Sequence, residues 1–297
     1  MKRGSRIALI VAAALLLLLV PLLILVATFV SADASAGSRS GFASLGAGIG
    51  HLTIEGTITD SRATVRELKS LERNPLVKAI LIRVDSPGGV VTPAHEIYSE
   101  IVRVRDAGMP VVASLGTLAA SGGYYVAAPA DLIVANPGTL TGSIGVIMEF
   151  PAVEGLMDKL GVGVEVVKSR EHKDIGSPFR RMTPADRELL EGVVRDVYEQ
   201  FVEIVSIERE LPMEEVYRLA DGRILTGRQA LGAGLVDTLG TFEDARRICG
   251  GLAGIKGEPR LIAPRRQLSF NWTDLLRGAA ETVLGWPRSP RLSYVWP

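Results

Sequence analysis

Apolar and polar positions alternate from His51 to Ile58 as they do in a half-buried strand, and Asp60 or Ser61 can cap a helix running to Arg73. Val77 to Val84 is β-branched and almost wholly apolar, which predicts a parallel strand covered on both faces. It runs into Asp85-Ser86-Pro87-Gly88-Gly89. A helix is expected from about Pro93 to Asp106, a strand from Pro110 to Leu115, a turn at Ser121 leading into a small-residue helix, and a strand at Leu132 to Ala135. Strands and helices alternating at this spacing imply right-handed βαβ units and an α/β class.

Further on, Thr139 to Met148 is less regular, Val164 to Lys168 suits another strand, and Ser169 to Pro178 can only be a loop. Thr183 as N-cap with Pro184 at the first helical position opens a long amphipathic helix to about Glu210. Its stripe of Leu189, Val193, Val197, Phe201, Ile204 and Val205 should pack on the sheet or on a neighbouring subunit. Short helices at Met213 to Ala220, Gly227 to Leu231 and Phe242 to Cys249 complete the core.

The longest apolar run stands at the start. Lys2, Arg3 and Arg6 precede an uncharged stretch from Ile7 to Val30, long enough as a helix to cross a hydrocarbon core of roughly 30 Å. Its length favours a transmembrane anchor, residues 7–30, over a cleaved signal peptide, although the small residues from Ser31 to Ala36 offer a cleavage site. The basic flank places residues 1–6 in the cytoplasm, so a single-pass protein of the cell inner membrane would hold everything after Val30 outside it. Residues 31–48, rich in Ser, Gly and Ala, form a flexible linker; a folded domain spans 49–260, and a tail spans 261–297. That tail holds Trp272, Trp286 and Trp296 among prolines and arginines, suited either to contact with the membrane surface or a subunit, or to a partly ordered extension.

Charge and cysteine content remove several functions. Lys plus Arg and Asp plus Glu both number 33, so no basic excess argues for nucleic acid. Cys249 is the single cysteine, which excludes an internal disulfide and a cysteine-based metal site.

The chemistry centres on Ala119-Ala120-Ser121-Gly122-Gly123. Ser121 is either a nucleophile held at a strand-to-helix turn or a small residue admitted for packing or capping. Acyl transfer would also need oxyanion donors, which the amide of Gly122 and the Gly88-Gly89 turn can offer, and a base. His51, His95 and His172 each sit where a structural histidine is the simpler reading.

Taken together, Asp85-Ser86-Pro87-Gly88-Gly89, Ala119 to Tyr125, Thr141-Gly142-Ser143-Ile144-Gly145, and Lys168-Ser169 with His172-Lys173-Asp174 and Ser177-Pro178 resemble the short, single-repeat form of the signal peptide peptidase A family. The resemblance runs from about Ile49 to Gly251. It implies the Clp protease/crotonase-like fold of repeated ββα units, preceded by one transmembrane helix, and a serine peptidase with a Ser/Lys dyad. Ser121 would be the nucleophile and Lys173 the general base; Ser143 would orient the lysine, and Gly122 with Gly89, or Gly88, would form the oxyanion hole. It further implies a homo-oligomeric ring whose neighbours complete the site, substrates such as cleaved signal peptides and other apolar peptides, and no metal or other cofactor.

A lysine in water has a pKa of about 10.4 and cannot serve as a base at neutral pH unless burial lowers it. Lys173 must therefore be enclosed, with Glu171 and Asp174 turned to solvent or to arginines. The competing functions are a crotonase-type acyl-CoA enzyme, which would want carboxylates near the Gly-Gly turn, and an inactive membrane-anchored scaffold.

Overall fold

A computed structural model describes residues 46–264 and 293–295. The proposed anchor at 7–30, most of the linker and most of the Trp-rich tail lie outside the described residues. Among the described residues no helix is long and apolar enough to cross a membrane.

In chain order, β1 (Gly48–Glu55), α1 (Arg62–Glu72), β2 (Val77–Ser86), β3 (Gly88–Val90), α2 (Val91–Asp106), β4 (Val111–Ala120), α3 (Gly122–Ala127) and β5 (Leu132–Ala135) follow the predicted alternation closely. Then come β6 (Leu140–Gly142), α4 (Glu154–Leu160), a 3-10 turn (Glu171–Asp174), α5 (Pro184–Glu208), α6 (Met213–Leu219), β7 (Ile224–Thr226), α7 (Gly227–Gly232), β8 (Thr238–Leu239), α8 (Phe242–Leu252), β9 (Leu261–Ile262) and β10 (Ser293–Val295). The class is mixed α/β. Eight strands form one sheet in the order β7-β6-β4-β2-β1-β9, with β5 and β8 branching from β4, and only the β6–β7 pair is antiparallel.

The near-continuous apolar run of β2 is explained by cover on both faces. Ile80, Ile82 and Val84 join Ile97, Ile101, Tyr124, Tyr125 and Phe201 in the larger core. Ala79 and Leu81 face the other way, with Val112, Val134, Ala245 and Cys249.

One expectation needs correction, and two others gain detail. Val164 to Lys168 forms no strand, because no described strand offers it a ladder, and Val164, Val166 and Val167 are exposed. The stripe on α5 is buried only in its C-terminal half: Val197, Phe201, Ile204 and Val205 pack inward, whereas Leu189 and Val193 face solvent. The tail contributes a strand, since Ser293–Val295 pairs antiparallel with β3. The N-terminus of α5 is as expected. Thr183 accepts from the Asp186 amide at 3.1 Å while Asp186 accepts from the Thr183 amide at 3.2 Å, a reciprocal capping box.

Candidate active site

The Ser121 turn is built by an irregularity in β4. Val84 of β2 pairs with Leu115, and Ser86 pairs with Ala119, so Gly116, Thr117 and Leu118 together face the single residue Asp85. The Asp85 carboxylate fills that gap, accepting from the Leu118 amide at 3.1 Å and the Thr117 amide at 3.3 Å. Gly116 leaves room for it, since a Cβ there would stand 2.5 Å from the Asp85 carboxylate and push it from the gap. Past the bulge β4 leaves β5 and pairs with β6, where Leu118 to Ala120 lie beside Leu140 to Gly142.

Ser121 then sits between β4 and α3 with φ 54° and ψ −119°. A left-handed backbone at a residue with a Cβ costs of order 1–3 kcal/mol and persists only where neighbours enforce it. Here the Ser121 amide donates to Gly142 O at 2.8 Å and Ser121 O accepts from the Tyr125 amide at 2.8 Å. The hydroxyl makes no capping bond, so capping does not explain the serine. Ser121 is only 1% exposed. Gly123 lets α3 close on the end of β2, because a Cβ there would lie 2.5 Å from Ser86 O. This strained strand-to-helix turn has the form of a nucleophile elbow.

The Gly122 amide adjoins it, and β3 with its Gly-Gly turn packs on the same helix. Gly122 opens α3, whose first-turn N–H groups have no intrahelical acceptor. The Gly88 amide is already used, donating to Ser86 Oγ at 3.1 Å. Ser86 Oγ in turn donates to Gly56 O at 2.6 Å, tying the Gly-Gly turn to the end of β1. Gly89 differs. Ile58 N–H donates to Gly88 O at 2.8 Å and Val90 N–H donates to Ile58 O at 2.7 Å. Since N–H and C=O groups alternate sides along a strand, those of Gly89 point to the opposite edge. Its Cβ would meet Ile58 O at 2.0 Å, so this close approach requires glycine.

Ser143 also has a left-handed backbone, φ 50°, anchored by its amide donating to Arg223 O at 2.8 Å. Lys173 lies in the 3-10 turn and is exposed. No hydrogen bond among the described residues joins it to Ser121 or Ser143, so within this chain alone Lys173 lacks the enclosure expected of a lysine base. Its neighbours behave as expected. Asp174 accepts from Arg180 at 2.8 and 3.0 Å and from Lys168 at 2.8 Å, and Glu171 is exposed. Arg180 also bonds Asp186 at 2.6 Å, and His172 Nδ1 lies 3.0 Å from that same carboxylate, stapling the loop to the start of α5. The Arg180 guanidinium, with Lys168 second, holds the Asp174 carboxyl well below the usual range; Arg180, then His172, does the same for Asp186.

The histidines are structural. His95 Nδ1 lies 2.9 Å from the Tyr125 hydroxyl, and His51 packs edge-on to Phe242, its pKa lowered by burial and then by Arg83. A cavity of about 380 Å³ lies away from the turn, lined by Arg83, Thr117, Asn136, Thr139, Thr241 and Phe242 among others, and it includes neither Ser121 nor Lys173. Asp85 and Ser86 stand in the Asp-Ser-Pro-Gly-Gly segment, yet their residue types alone disclose neither the bulge bonds of one nor the turn bonds of the other.

A model of peptidase family S49 matches residues 103–256, and a putative protease of Synechocystis is 44% identical over 209 residues, covering 70% of this chain and 75% of that protein. This chain belongs to peptidase family S49. It is a serine peptidase of the signal peptide peptidase A kind. A putative protease of Methanocaldococcus jannaschii is 40% identical over 203 residues, 68% of this chain and 65% of that protein. Protease 4 of Salmonella typhi is 38% identical over 193 residues, 65% of this chain but 31% of its own length. Among solved structures, a ClpP1 mutant from Listeria monocytogenes aligns with TM-score 0.45 and 16% identity, over 66% of this chain and 93% of that one.

Proposed function

We propose that this S49 peptidase is a membrane-anchored endopeptidase with Ser121 as nucleophile and Lys173 as general base, held at the inner membrane by residues 7–30 with its catalytic domain outside the cytoplasm. The strained, uncapped Ser121 at the start of α3, directly before the Gly122 amide, carries this proposal. Neutral Lys173 takes the Ser121 proton as Oγ attacks a peptide carbonyl, and the Gly122 and Gly89 amides receive the oxyanion. Lys173 returns the proton to the leaving amine. It then deprotonates the water that hydrolyses the acyl-enzyme, and Ser143 orients its amine throughout. Cleaved signal peptides and other apolar peptides are the substrates that suit a domain tethered beside a bilayer.

The lysine needs a dry wall that this chain does not supply, and a second copy is the proposed source. Leu156, Leu160, Val164, Val166, Leu189 and Val193 are all exposed around the segment that carries Lys173. Exposed large apolar side chains at this density along one stretch of chain suit an interaction surface. Docking copies of the chain in a ring would cover it and enclose the base. Membership of a peptidase family speaks against the acyl-CoA enzyme, and a scaffold with a dead site remains as an outcome of the test.

The full chain in detergent should hydrolyse an apolar peptide ester. Ser121→Ala and Lys173→Ala should each reduce kcat by about 10³-fold or more with unchanged melting temperature. Specific activity should rise with protein concentration as copies associate. Undiminished turnover in either variant would remove the dyad, and no turnover in the wild-type chain would favour the scaffold.

A further inference from the structure

A second opening lies where β4 changes partners. Val112 to Leu115 pair with β5 and Leu118 to Ala120 pair with β6, so the two neighbours part at Gly116 and Thr117. The cavity of about 380 Å³ occupies that gap, at the carboxyl ends of the parallel strands. This is the end of an open α/β sheet at which ligands are generally bound. Arg83 of β2, half-buried, stands in its wall with Thr117, Asn136 and Phe242. The lining holds this one cation and no carboxylate.

Arg103, Arg105, Arg180 and Arg209 each pair with a carboxylate, whereas Arg83 has no carboxylate partner among the described residues. Its Nη1 donates to Ser114 Oγ at 2.9 Å and to Leu115 O at 3.2 Å, and the guanidinium lies 5.8 Å from the centroid of the Phe242 ring. Those contacts fix the fork and leave Nε and Nη2 to donate elsewhere. The neighbouring free groups are donors too. Asn136 Oδ1 accepts from the Gly138 amide at 3.1 Å, which leaves its NH2 group, and the Phe242 and Glu243 amides open α8 with no intrahelical acceptor. Two carboxylates stand beside the lining, Asp85 at Gly116 and Asp244 at Gly240. The first is held by the Thr117 and Leu118 amides, the second by the Thr241 cap and Arg247.

We propose that this cavity is a second binding site, for the C-terminal carboxylate of a short apolar peptide. A guanidinium fork and a carboxylate match in bidentate geometry. One cation balances the single charge of a carboxylate and would leave a phosphate dianion half neutralised. Leu115 and Phe242 supply apolar wall for the last side chain, and the volume is at the small end for ligand pockets, enough for a residue or two. Each cleavage by a peptidase releases a peptide with a new carboxyl end, so ligands of this class form wherever the chain acts. Binding here does not require Ser121 to be the nucleophile.

In the full chain in detergent, N-acetyl-Ala-Leu should slow amide exchange in residues 114–118 and 240–243, half-maximally at about 1 mM, and the same compound with its carboxyl amidated should not. Arg83→Gln should raise the half-maximal concentration about tenfold through loss of the charge-assisted pair. Asn136→Ala, at an exposed position, should raise it about fivefold, and decides alone if the Arg83 variant does not fold. Inorganic phosphate at the same concentration should leave both segments unchanged. Equal protection by the acid and the amide, equal protection by phosphate and the peptide, or a half-maximal concentration that neither substitution moves overturns the proposal. Protection confined to residues 119–126 and insensitive to Arg83→Gln would put the peptide at the Ser121 turn and overturn it as well.

Discussion

Asp85→Ala isolates how the scaffold positions Ser121. The carboxylate is the acceptor for two of the three amides of the β4 bulge, at 3.1 Å from Leu118 and 3.3 Å from Thr117. A hydrogen bond to a charged group contributes about 1.5–3 kcal/mol when shielded. The longer bond, to Thr117, is exposed and water replaces much of it, so the whole loss is about 2 kcal/mol. For a domain of this size that lowers Tm by about 4–8 °C. The effect on catalysis should be larger than on folding. Leu118 stands three residues before Ser121, and relaxation of the bulge by about 1 Å at the proposed nucleophile should lower kcat by about 100-fold. Asp85 is taken up by the bulge amides, so KM should hold. Asp85→Asn keeps one carbonyl oxygen for the Leu118 amide and should recover about half of the loss on a logarithmic scale. Steady-state hydrolysis of a peptide ester and a thermal melt of the same preparations give both numbers. A variant that melts several degrees lower yet retains wild-type kcat would show that the carboxylate stabilises the sheet without positioning the serine.

Gly123→Ala places a methyl group 2.5 Å from Ser86 O, a backbone atom that cannot swing aside. It should cost about 1–3 kcal/mol in a denaturant titration and lower kcat as α3 is pushed from β2. The carboxyls of Asp174 and Asp186 titrate below their ordinary value of 3.8 in the folded chain. Their contribution is therefore present above about pH 4 and lost as pH falls through the lowered folded values, so amide exchange in residues 168–180 should accelerate on acidification before the sheet melts. Burial pushes the Cys249 thiol up to about 12, so iodoacetamide at pH 8 should leave the native chain unlabelled and modify it fully in denaturant; rapid native labelling would contradict the packing of α8 on the sheet.

What could be read in the chain beforehand follows a physical division. Val77 to Val84 announced β2 because a strand covered on both faces has no polar positions to alternate, and Thr183 with Pro184 announced α5 because capping chemistry is local. The bulge at Gly116 to Leu118 was not legible. It depends on a carboxylate one strand away, and nothing in a run of small residues discloses which of them is unpaired. The tail was opaque for the same reason. The β3 edge accepts main-chain groups, which every residue carries, so Ser293 to Val295 bear no mark of their partner.

The remaining departures fall together. Val164 to Lys168 has the composition of a strand but no ladder, Leu189 and Val193 continue the stripe of α5 into solvent, and Lys173 has the company of a catalytic base but no enclosure. Each pattern is a sound one that ends at the surface of a single chain. All three lie within residues 164–193, one continuous stretch of the chain. An apolar extended segment, an apolar helix face and an exposed lysine are what one side of an interface looks like when the other side is a separate molecule. Under the proposed assembly one event, the docking of a second copy on this segment, would pair the strand, cover the stripe and dry the base. Charged substitutions such as Val166→Glu should then abolish turnover and association together while leaving the melting of the isolated domain unchanged; loss of turnover with association intact would separate the lysine's environment from the interface.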